Sequence, residues 1–305
     1  MRILMAGASG FLGVPLAKRL REAGHDVTRL VRRPAESTDE ATWSPSQGQL
    51  DPALVAGADA VINLAGAGVG DKRWTAAYRS VIRSSRVDTT GTIARAIKHL
   101  PAADRPRTLL QGSAEGWYGE TGDRRVTEDS PAGRGFLADV VRVWEAAARP
   151  AEDAGTRVVL LRSGLPLHQD GGLLKPQMPI FRAGLGGRLG SGRQYLPWLS
   201  LEDWLRAVEF LLDQEEISGP VNVVGPEPVT NAEFAETLGR VLHRPAVTFV
   251  PGFALQIALG GFAEEALGSK RVMPGVLSRA GFRWNHPTLE SALRVAVGQT
   301  PSAAS

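Results

Sequence analysis

The stretch Gly7-Ala8-Ser9-Gly10-Phe11-Leu12-Gly13 directly follows the apolar run of residues 3–6 and opens a helical pattern over 11–23. Glycine allows a tight turn and lets the backbone approach a pyrophosphate, which a helix N-terminus attracts with its unpaired amides and its dipole. An ordinary strand–helix turn is the alternative, but the position after a first strand favours a nucleotide site. The residues expected to contact a cofactor here are Gly7, Ser9, Gly10, Phe11, Leu12 and Gly13.

Outward from this loop, unalternated apolar runs alternate with helical patterns. The runs lie at 27–31, 60–63, 108–110 and 158–161, and the longer helical patterns at 77–100 and 136–154. Apolar runs without polar alternation are typical of strands buried on both faces of a parallel sheet. This order of elements predicts an α/β protein with a doubly wound parallel sheet.

The second half of the chain changes in character. Residues 184–192 hold five glycines and predict a turn-rich loop. Ser200 and Thr230 are each followed three residues later by an acid, a pattern that predicts a helix start at both positions. The small, polar tail from Gln299 is expected to fray.

Composition excludes several kinds of site. The chain has no cysteine, which excludes a disulfide scaffold, a thiolate metal site, an iron–sulfur cluster and a cysteine nucleophile. The five histidines lack metal-ligand spacing, so no metal is expected. No run of about 18 apolar residues occurs, so we expect no membrane association.

The N-terminus lacks a small-residue cleavage site, and we therefore expect a cytoplasmic protein. The formal charge of +3 suits an anionic small ligand as well as nucleic acid and does not decide between them. The nucleotide motif favours a small-molecule substrate and no nucleic-acid partner. We also expect a monomer or a homodimer.

Arg32 and Arg33 follow the second predicted strand, where NAD-binding proteins usually place an acid that holds the ribose 2′-hydroxyl. Guanidinium groups suit a 2′-phosphate because they present a charged fork to its oxygens. The pair therefore predicts NADP(H) rather than NAD(H), with a solvated pair of arginines as the alternative.

Further motifs resemble the extended short-chain dehydrogenase/reductase superfamily. They are Asn63-Leu64-Ala65-Gly66, the segment 113–119 and the helix from Phe136. More narrowly, the chain resembles an atypical, NAD-dependent epimerase/dehydratase-like branch with a characteristic C-terminal domain, whose members were formerly described as cell-division inhibitors. The motifs behind this narrower resemblance are Asp71-Lys72-Arg73-Trp74-Thr75, Ser85-Arg86-Val87, Trp144-Glu145, Gly190-Ser191-Gly192-Arg193-Gln194, Gly268-Ser269-Lys270-Arg271-Val272-Met273-Pro274 and Ala280-Gly281-Phe282.

The resemblance covers nearly the whole chain and implies a Rossmann-type domain with a smaller, substrate-facing C-terminal domain. We expect the Rossmann domain in residues 1–165, completed by 198–226, and the smaller domain in 166–197 and 227–305. The resemblance also implies cofactor contacts from Leu64, Ala65, Gly66 and, near the nicotinamide amide, Gly164.

The superfamily's usual catalytic pair, Tyr-x-x-x-Lys, is absent from the sequence. In that pair the lysine lowers the tyrosine pKa, and the phenol exchanges a proton during hydride transfer. The resemblance places Phe136 and Val140 where the tyrosine and lysine would stand. The chain also departs from its branch at Ala67 instead of an acid, at Glu115 instead of threonine, and at Ser200 instead of histidine.

Residues 113–119 gather a hydroxyl, a carboxylate and a phenol after a predicted strand. Ser113 could hydrogen-bond a substrate carbonyl, and Glu115 or Tyr118 could exchange a proton if burial moved its pKa toward neutrality. The ordinary alternatives are a turn hydroxyl, a solvated carboxylate and a packed ring. These three residues are the candidate catalytic groups.

Substrate contacts are expected from two sides of the cleft. Lys72 and Arg73 could clamp an anionic substrate under Trp74, or they could be exposed charges at a helix start. Residues after the glycine-rich segment could line the second side. The candidate substrate-binding residues are Lys72, Arg73, Trp74, Arg193, Gln194 and Trp198.

Three functions are compatible with these observations. The first is an NADP(H)-binding oxidoreductase or epimerase-like enzyme acting on a small carbonyl or hydroxyl substrate. The second is a redox-neutral isomerase, lyase or cyclase on the same fold. The third is a non-catalytic NADPH-binding sensor or interaction protein. The retained cofactor motifs favour the first and third, whereas the missing Tyr-x-x-x-Lys pair favours the second and third.

Overall fold

The computed structural model describes residues 1–299, so the predicted fraying of the tail beyond Gln299 lies outside the described residues. The strands are β1 (Arg2–Ala6), β2 (Asp26–Val31), β3 (Glu40–Thr42), β4 (Ala60–Asn63), β5 (Thr108–Ala114), β6 (Arg157–Ser163), β7 (Leu165–Leu167), β8 (Gly187–Leu189), β9 (Tyr195–Leu196), β10 (Trp198–Ser200), β11 (Gly219–Val223), β12 (Val229–Thr230) and β13 (Thr248–Val250). The helices are α1 (Gly13–Glu22), α2 (Pro52–Ala56), α3 (Ala76–His99), α4 (Phe136–Ala146), α5 (Arg149–Asp153), α6 (Met178–Arg182), α7 (Leu201–Asp213), α8 (Asn231–Leu242), α9 (Gly252–Leu259), α10 (Ala263–Leu267), α11 (Gly275–Arg279) and α12 (Leu289–Ala296).

Seven strands form one sheet in the order β11-β6-β5-β4-β1-β2-β3. Every neighbouring pair in it is parallel. The chain runs outward from β1 to β3 and then returns to the other side of β1 with β4. This reversal of strand order is the feature that opens a ligand crevice at the carboxyl ends of the strands. The predicted Rossmann-type doubly wound sheet is confirmed.

Both faces of the sheet are buried, as the unalternated apolar runs predict. Alternate residues of β1 point to opposite faces. Ile3 and Met5 belong to the same core cluster as Trp204 of α7. Leu4 lies in the cluster on the other face with Ile93 of α3. The crevice edge is thus held between two layers of helices.

The predicted helix over 136–154 is divided in the structure. It forms α4, which ends at Ala146, and the short α5, which begins at Arg149. Pro150 lies in the first turn of α5. Proline has no N–H to continue a helix but is tolerated in a first turn, which explains why a new helix starts there.

Residues 165–198, 229–246 and 289–297 form a smaller C-terminal lobe that has a core of its own. Phe181 of α6, Phe234 of α8 and Leu293 of α12 meet there with Trp198 of β10. Residues 275–284 do not join this lobe: Leu277 and Phe282 pack instead into the core cluster of the large sheet. β11 (Gly219–Val223) lies at the edge of the large sheet. The division into two domains, with 198–226 completing the Rossmann domain, stays a prediction.

None of the helices in the described part of the chain has the length and apolar character that a membrane crossing requires.

Candidate functional site

A cleft of about 550 Å³ lies at the carboxyl edge of the sheet, where the strand order reverses. Its walls come from the segments that follow β1, β4, β5 and β6, together with α4 and parts of the C-terminal lobe. Parallel strands present their carboxyl ends at one edge, so loops far apart in sequence meet there. A predicted site residue that contacts a bound cofactor or substrate should line this cleft.

The glycine loop forms one end of the cleft and has the shape that a dinucleotide requires. Gly7 has φ of +80°, and a Cβ there would lie 2.6 Å from the carbonyl carbon of Leu64. A Cβ at Gly13 would collide with the carbonyl oxygen of Gly7, whereas at Gly10 the same test meets that oxygen at 3.4 Å and nothing closer. Gly7 and Gly13 are therefore required by the turn itself, and Gly10 leaves open space on the cleft side.

The first turn of α1 is available to an anion. This helix has no side-chain cap and no acidic residue in its first turn. The unpaired amides and positive dipole end of such a helix attract phosphate groups. Gly7, Gly10, Phe11, Leu12 and Gly13 all line the cleft, whereas Ser9 does not. The residues present thus fit a dinucleotide pyrophosphate.

The loop after β4 forms the neighbouring wall with Leu64, Ala65 and Gly66. It is held by hydrogen bonds, from Ala65 N to Asn63 Oδ1 at 3.1 Å and from Leu64 N to Ala6 O at 2.9 Å. These bonds fix the loop backbone beside the glycine turn, where the resemblance expected cofactor contacts.

Gly164 also lines the cleft, on the β6 side. Its N–H donates to Val223 O at 3.0 Å, and a Cβ there would collide with the carbonyl oxygen of Pro197. Close backbone packing therefore accounts for this glycine, and its cleft position is compatible with the predicted cofactor contact.

Arg32 and Arg33 lie on the surface after β2 but differ in their partners. Arg33 donates twice to Glu40, from Nη1 to Oε2 and from Nη2 to Oε1, both at 2.8 Å. Arg32 is exposed and makes no ion pair within residues 1–299. Arg32 is therefore the guanidinium that is free to meet a phosphate.

Ser113 lies at the end of β5 and lines the cleft, but its hydroxyl is already engaged. Its Oγ donates to Glu145 Oε1 at 2.6 Å. Arg162 pairs with the same carboxylate, from Nε to Oε1 at 2.8 Å and from Nη2 to Oε2 at 2.9 Å. The Ser113 proton thus belongs to a buried ion pair and is not directed at a molecule in the cleft.

Tyr118 is buried away from the cleft, with only 2% of its surface exposed. Its Oη donates to Asn222 Oδ1 at 2.7 Å and accepts from Arg162 Nη1 at 3.1 Å. Burial, above all, raises the pKa of Tyr118 to about 12. This is the packed ring of the ordinary interpretation, and we do not retain Tyr118 as a proton donor.

Glu115 differs from both, because it lies half-buried in the cleft wall. It begins a single 3₁₀ turn, Glu115–Tyr118, that follows β5. Burial raises the pKa of its carboxyl, Lys270 acts in the opposite direction, and Glu265 adds to the increase. Glu115 is the one candidate catalytic group of the three that has both access to the cleft and a pKa moved toward neutrality.

Residues 3–165 match the NAD dependent epimerase/dehydratase family, and residues 250–296 match a domain of unknown function, DUF1731. The chain belongs to the NAD-dependent epimerase/dehydratase family. Epimerase family protein Mb2239 of Mycobacterium bovis is 44% identical over 292 residues, which cover 95% of this chain and 96% of that protein. Human epimerase family protein SDR39U1 is 35% identical over 298 residues, covering 96% and 99%.

Solved structures agree with this assignment of the epimerase/dehydratase family. The crystal structure of human SDR39U1 with NADPH superposes with a TM-score of 0.88 at 33% identity and covers 97% of this chain and 99% of that one. A nucleoside-diphosphate sugar epimerase from Corynebacterium glutamicum gives a TM-score of 0.81 at 30% identity, covering 99% of this chain and 59% of its own. The predicted family resemblance is confirmed, and with it an NAD(P)-binding Rossmann fold.

The six residues expected to bind substrate do not line the cleft of this epimerase/dehydratase family protein. Trp74 is buried, with its Nε1 donating to Val69 O, and Trp198 lies in the core of the smaller lobe. Gln194 is also buried and donates to Leu189 O. Lys72, Arg73 and Arg193 are exposed outside the cleft. The expectation is corrected for Trp74, Gln194 and Trp198, because their side chains are buried in the packing of the fold. For Lys72, Arg73 and Arg193 a contact with substrate stays a prediction.

The α4 wall of the cleft carries no ionisable group. Leu137, Val140, Val141 and Trp144 line it, whereas Phe136 turns toward Trp74, with ring centroids 5.0 Å apart. A proton donor for a molecule in the cleft must therefore come from another wall. That Phe136 stands in the place of the missing tyrosine stays a prediction.

Three charged residues of the cleft were not among the predicted site residues: Arg86, Glu265 and Lys270. Arg86 of α3 donates from Nη1 to Ala67 O and Ile82 O, and burial lowers its pKa to about 10. Within residues 1–299 it forms no ion pair, so an anionic group of a ligand would be favourable beside it. The motifs Ser85-Arg86-Val87 and Gly268-Ser269-Lys270-Arg271 contained the signal, but nothing in the sequence showed that they meet.

Proposed function

We propose that this protein is an NADP(H)-binding oxidoreductase or epimerase-like enzyme that acts on a small carbonyl or hydroxyl substrate. The observation behind this proposal is the position of Glu115, a half-buried carboxyl in a cleft that is continuous with the glycine loop. The fold alone would not argue for a reaction, since one fold serves many functions. A half-buried carboxyl that can exchange a proton inside a dinucleotide cleft does argue for a reaction.

Different parts of the cleft would bind the cofactor, exchange the proton and exclude water. The glycine loop and α1 bind the pyrophosphate, and the loops of Leu64–Gly66 and Gly164 orient the rest of the dinucleotide. Bound NADPH would supply the hydride in one direction, and bound NADP⁺ would accept it in the other. Glu115 gives a proton to the substrate oxygen in one direction and removes it in the other. The apolar wall of α4 excludes water from the exchange.

The cofactor proposal rests on the glycine loop and on Arg32. The human SDR39U1 structure, which contains NADPH, supports the choice of NADP(H). Gly10→Val places a branched side chain in the space where the pyrophosphate would lie, and its Cβ stays at the edge of ordinary contact distance, 3.4 Å, from the carbonyl oxygen of Gly7. We expect NADPH binding, measured by calorimetry, to be lost while the thermal unfolding midpoint stays near that of the unmodified protein. Full NADPH affinity in Gly10→Val would overturn this assignment.

The preference for NADP(H) is tested by comparing Arg32→Ala with Arg33→Ala. A hydrogen bond to a charged group contributes about 1.5–3 kcal/mol, which corresponds to roughly ten- to hundredfold in affinity. We expect Arg32→Ala to remove that factor for NADPH and to leave NADH binding unchanged. Arg33→Ala should have the smaller effect, because Arg33 is paired with Glu40. Equal affinity of the unmodified protein for both cofactors would contradict the proposal.

The role of Glu115 is tested by Glu115→Gln, which keeps the shape of the side chain and removes its exchangeable proton. General acid–base catalysis typically contributes about 10²–10⁴ in rate. We expect a loss of that size in NADPH oxidation with a panel of small aldehydes and ketones, and unchanged NADPH affinity. Exposed Glu264→Gln is the control. If the unmodified protein binds NADPH but turns over none of these compounds or the matching alcohols with NADP⁺, the oxidoreductase proposal fails.

A further inference from the structure

One ammonium group, that of Lys270, and two carboxylates, those of Glu115 and Glu265, line the cleft. Lys270 Nζ donates to Glu265 Oε2 at 2.7 Å, and Glu115 lines the same cleft. Lys270 is buried, with 7% of its surface exposed. One carboxylate is enough to pair a buried ammonium, so the second is surplus to charge balance.

The backbone of Lys270 is held from several sides. Its own N–H donates to Tyr195 O at 3.0 Å, and Ser269 Oγ donates to Gly122 O at 2.7 Å. On the other side, Arg271 N donates to Thr121 Oγ1 at 2.9 Å. The C-terminal segment 263–271 is therefore fastened to β9 and to the loop that follows the 3₁₀ turn of Glu115, and it brings Lys270 to the cleft. Such fastening is what precise placement of a charged side chain requires.

The charges in this cluster have unequal freedom. Burial acts to lower the pKa of Lys270, but Glu115 and Glu265, with a smaller contribution from Glu120, outweigh it and raise that pKa. Lys270 thus stays an ammonium group. Lys270 and Glu265 are the charged groups that face Glu115, and Glu115 is the member whose raised pKa lets it change protonation.

We propose that Glu115, Lys270 and Glu265 form one proton-exchange unit, in which Glu115 transfers the proton, Lys270 is a positioning residue that stabilises the carboxylate left behind, and Glu265 holds Lys270. The unit would perform the role that a tyrosine and a lysine have in the superfamily that the chain resembles, and two of its three members, Glu265 and Lys270, come from the C-terminal segment 263–271. This inference rests on the proposed function of Glu115.

In the proposed reaction, a carbonyl substrate receives a hydride from the cofactor and a proton from Glu115. The carbon–oxygen π bond breaks as the carbonyl carbon gains a hydride and the oxygen gains the proton of Glu115. The substrate is reduced by two electrons, and the reduced nicotinamide is oxidised by two. Glu115 becomes a carboxylate facing the ammonium group of Lys270, and solvent returns its proton.

The experiment measures the protonation of Glu115 directly in the ligand-free protein. The infrared carbonyl band of its protonated carboxyl is identified by difference from Glu115→Gln and followed over a pH series. Lys270→Met removes the positive charge and should raise the midpoint, while Glu265→Gln removes a negative charge and should lower it. Each shift should be about 1–3 pH units, the usual effect of a close charge. The controls are exposed Lys175→Met and exposed Glu264→Gln, which should not move the midpoint.

Opposite shifts in the two variants cannot come from a general loss of packing, so they support the unit. An unmoved midpoint in both overturns it, whatever the activity. If Lys270→Met does not fold, the direction of the Glu265→Gln shift decides alone. The pH profile of NADPH oxidation should move with the infrared midpoint. Opposite infrared shifts without turnover of any carbonyl or alcohol would support the unit and count against the redox function, because a redox-neutral proton transfer would also use it.

Discussion

Two buried ionic clusters flank the end of β5, and they differ in how completely they are paired. In the first, the carboxylate of Glu145 accepts from both Arg162 and Ser113, and Arg162 is 3% exposed. In the second, Lys270 has Glu265 as its hydrogen-bonded partner and Glu115 as an additional carboxylate beside the cleft.

The first cluster has no freedom left for chemistry. Both oxygens of the Glu145 carboxylate accept hydrogen bonds, and the guanidinium carbon of Arg162 lies 4.0 Å from the ring centroid of Trp117. The second cluster keeps a group that can change its charge. A completely paired cluster cannot lose one member without leaving an uncompensated buried charge, whereas an incompletely paired carboxyl in a cleft is available for proton transfer.

The largest expected effect is loss of the paired cluster. Glu145→Ala leaves Arg162 buried without its partner, and breaking a buried pair in this way costs about 3–5 kcal/mol. Urea unfolding should show a loss of that size in the free energy of unfolding. Exposed Glu152→Ala on α5 is the control and should change it little. A loss within the range of the control would contradict the comparison, because Arg162 would then not depend on Glu145 as its buried partner.

A second, smaller effect is expected at Tyr118. Tyr118→Phe removes only the hydroxyl and leaves Asn222 Oδ1 without its donor. A buried group left unsatisfied costs about 1–3 kcal/mol. We expect that loss in the free energy of unfolding, with NADPH affinity unchanged and turnover within about threefold, well short of the 10²–10⁴ of an acid–base residue. A loss of turnover of that larger size would return Tyr118 to the catalytic candidates.

The smallest expected effect is a gain in stability. Burial raises the pKa of folded Glu115, so the folded protein binds that proton more tightly than the unfolded chain does. The unmodified protein therefore loses stability as pH rises from the ordinary range of glutamate through the folded-state pKa. Glu115→Gln avoids this loss, at roughly 1.4 kcal/mol for each pH unit between the two pKa values. Denaturant unfolding at several pH values should show its advantage growing with pH. If the difference in the free energy of unfolding between the two proteins did not change with pH, burial would not raise the pKa of this carboxyl.

The fold could be predicted from local patterns. Glycine spacing, apolar runs and cap residues are properties of neighbouring residues, so the Rossmann-type sheet and the glycine turn were both expected and found. The cap at Thr230 likewise begins α8 with a full capping box. The break between α4 and α5 was missed, although Pro150 marks it.

The substrate side was predicted less well, because residue type does not say what a side chain packs against. Trp74 and Trp198 were assigned to the cleft by their chemistry, yet their rings are buried in cores. Tyr118 was chosen as a phenol able to exchange a proton, yet its oxygen is bonded to Asn222, which is 104 residues away in the sequence.

The sequence by itself determined the class of fold, the nucleotide turn, the family resemblance and the absence of a Tyr-x-x-x-Lys pair. Only the tertiary structure decided that Ser113 and Tyr118 are engaged by other side chains while Glu115 is available in the cleft, and that Lys270 and Glu265 lie there with it. The physical reason is distance along the chain. Helix caps and glycine turns depend on residues a few positions apart, whereas the presence of Glu115 and Lys270 in one cleft depends on where the segment after β5 meets the C-terminal segment, and on the burial that their meeting creates.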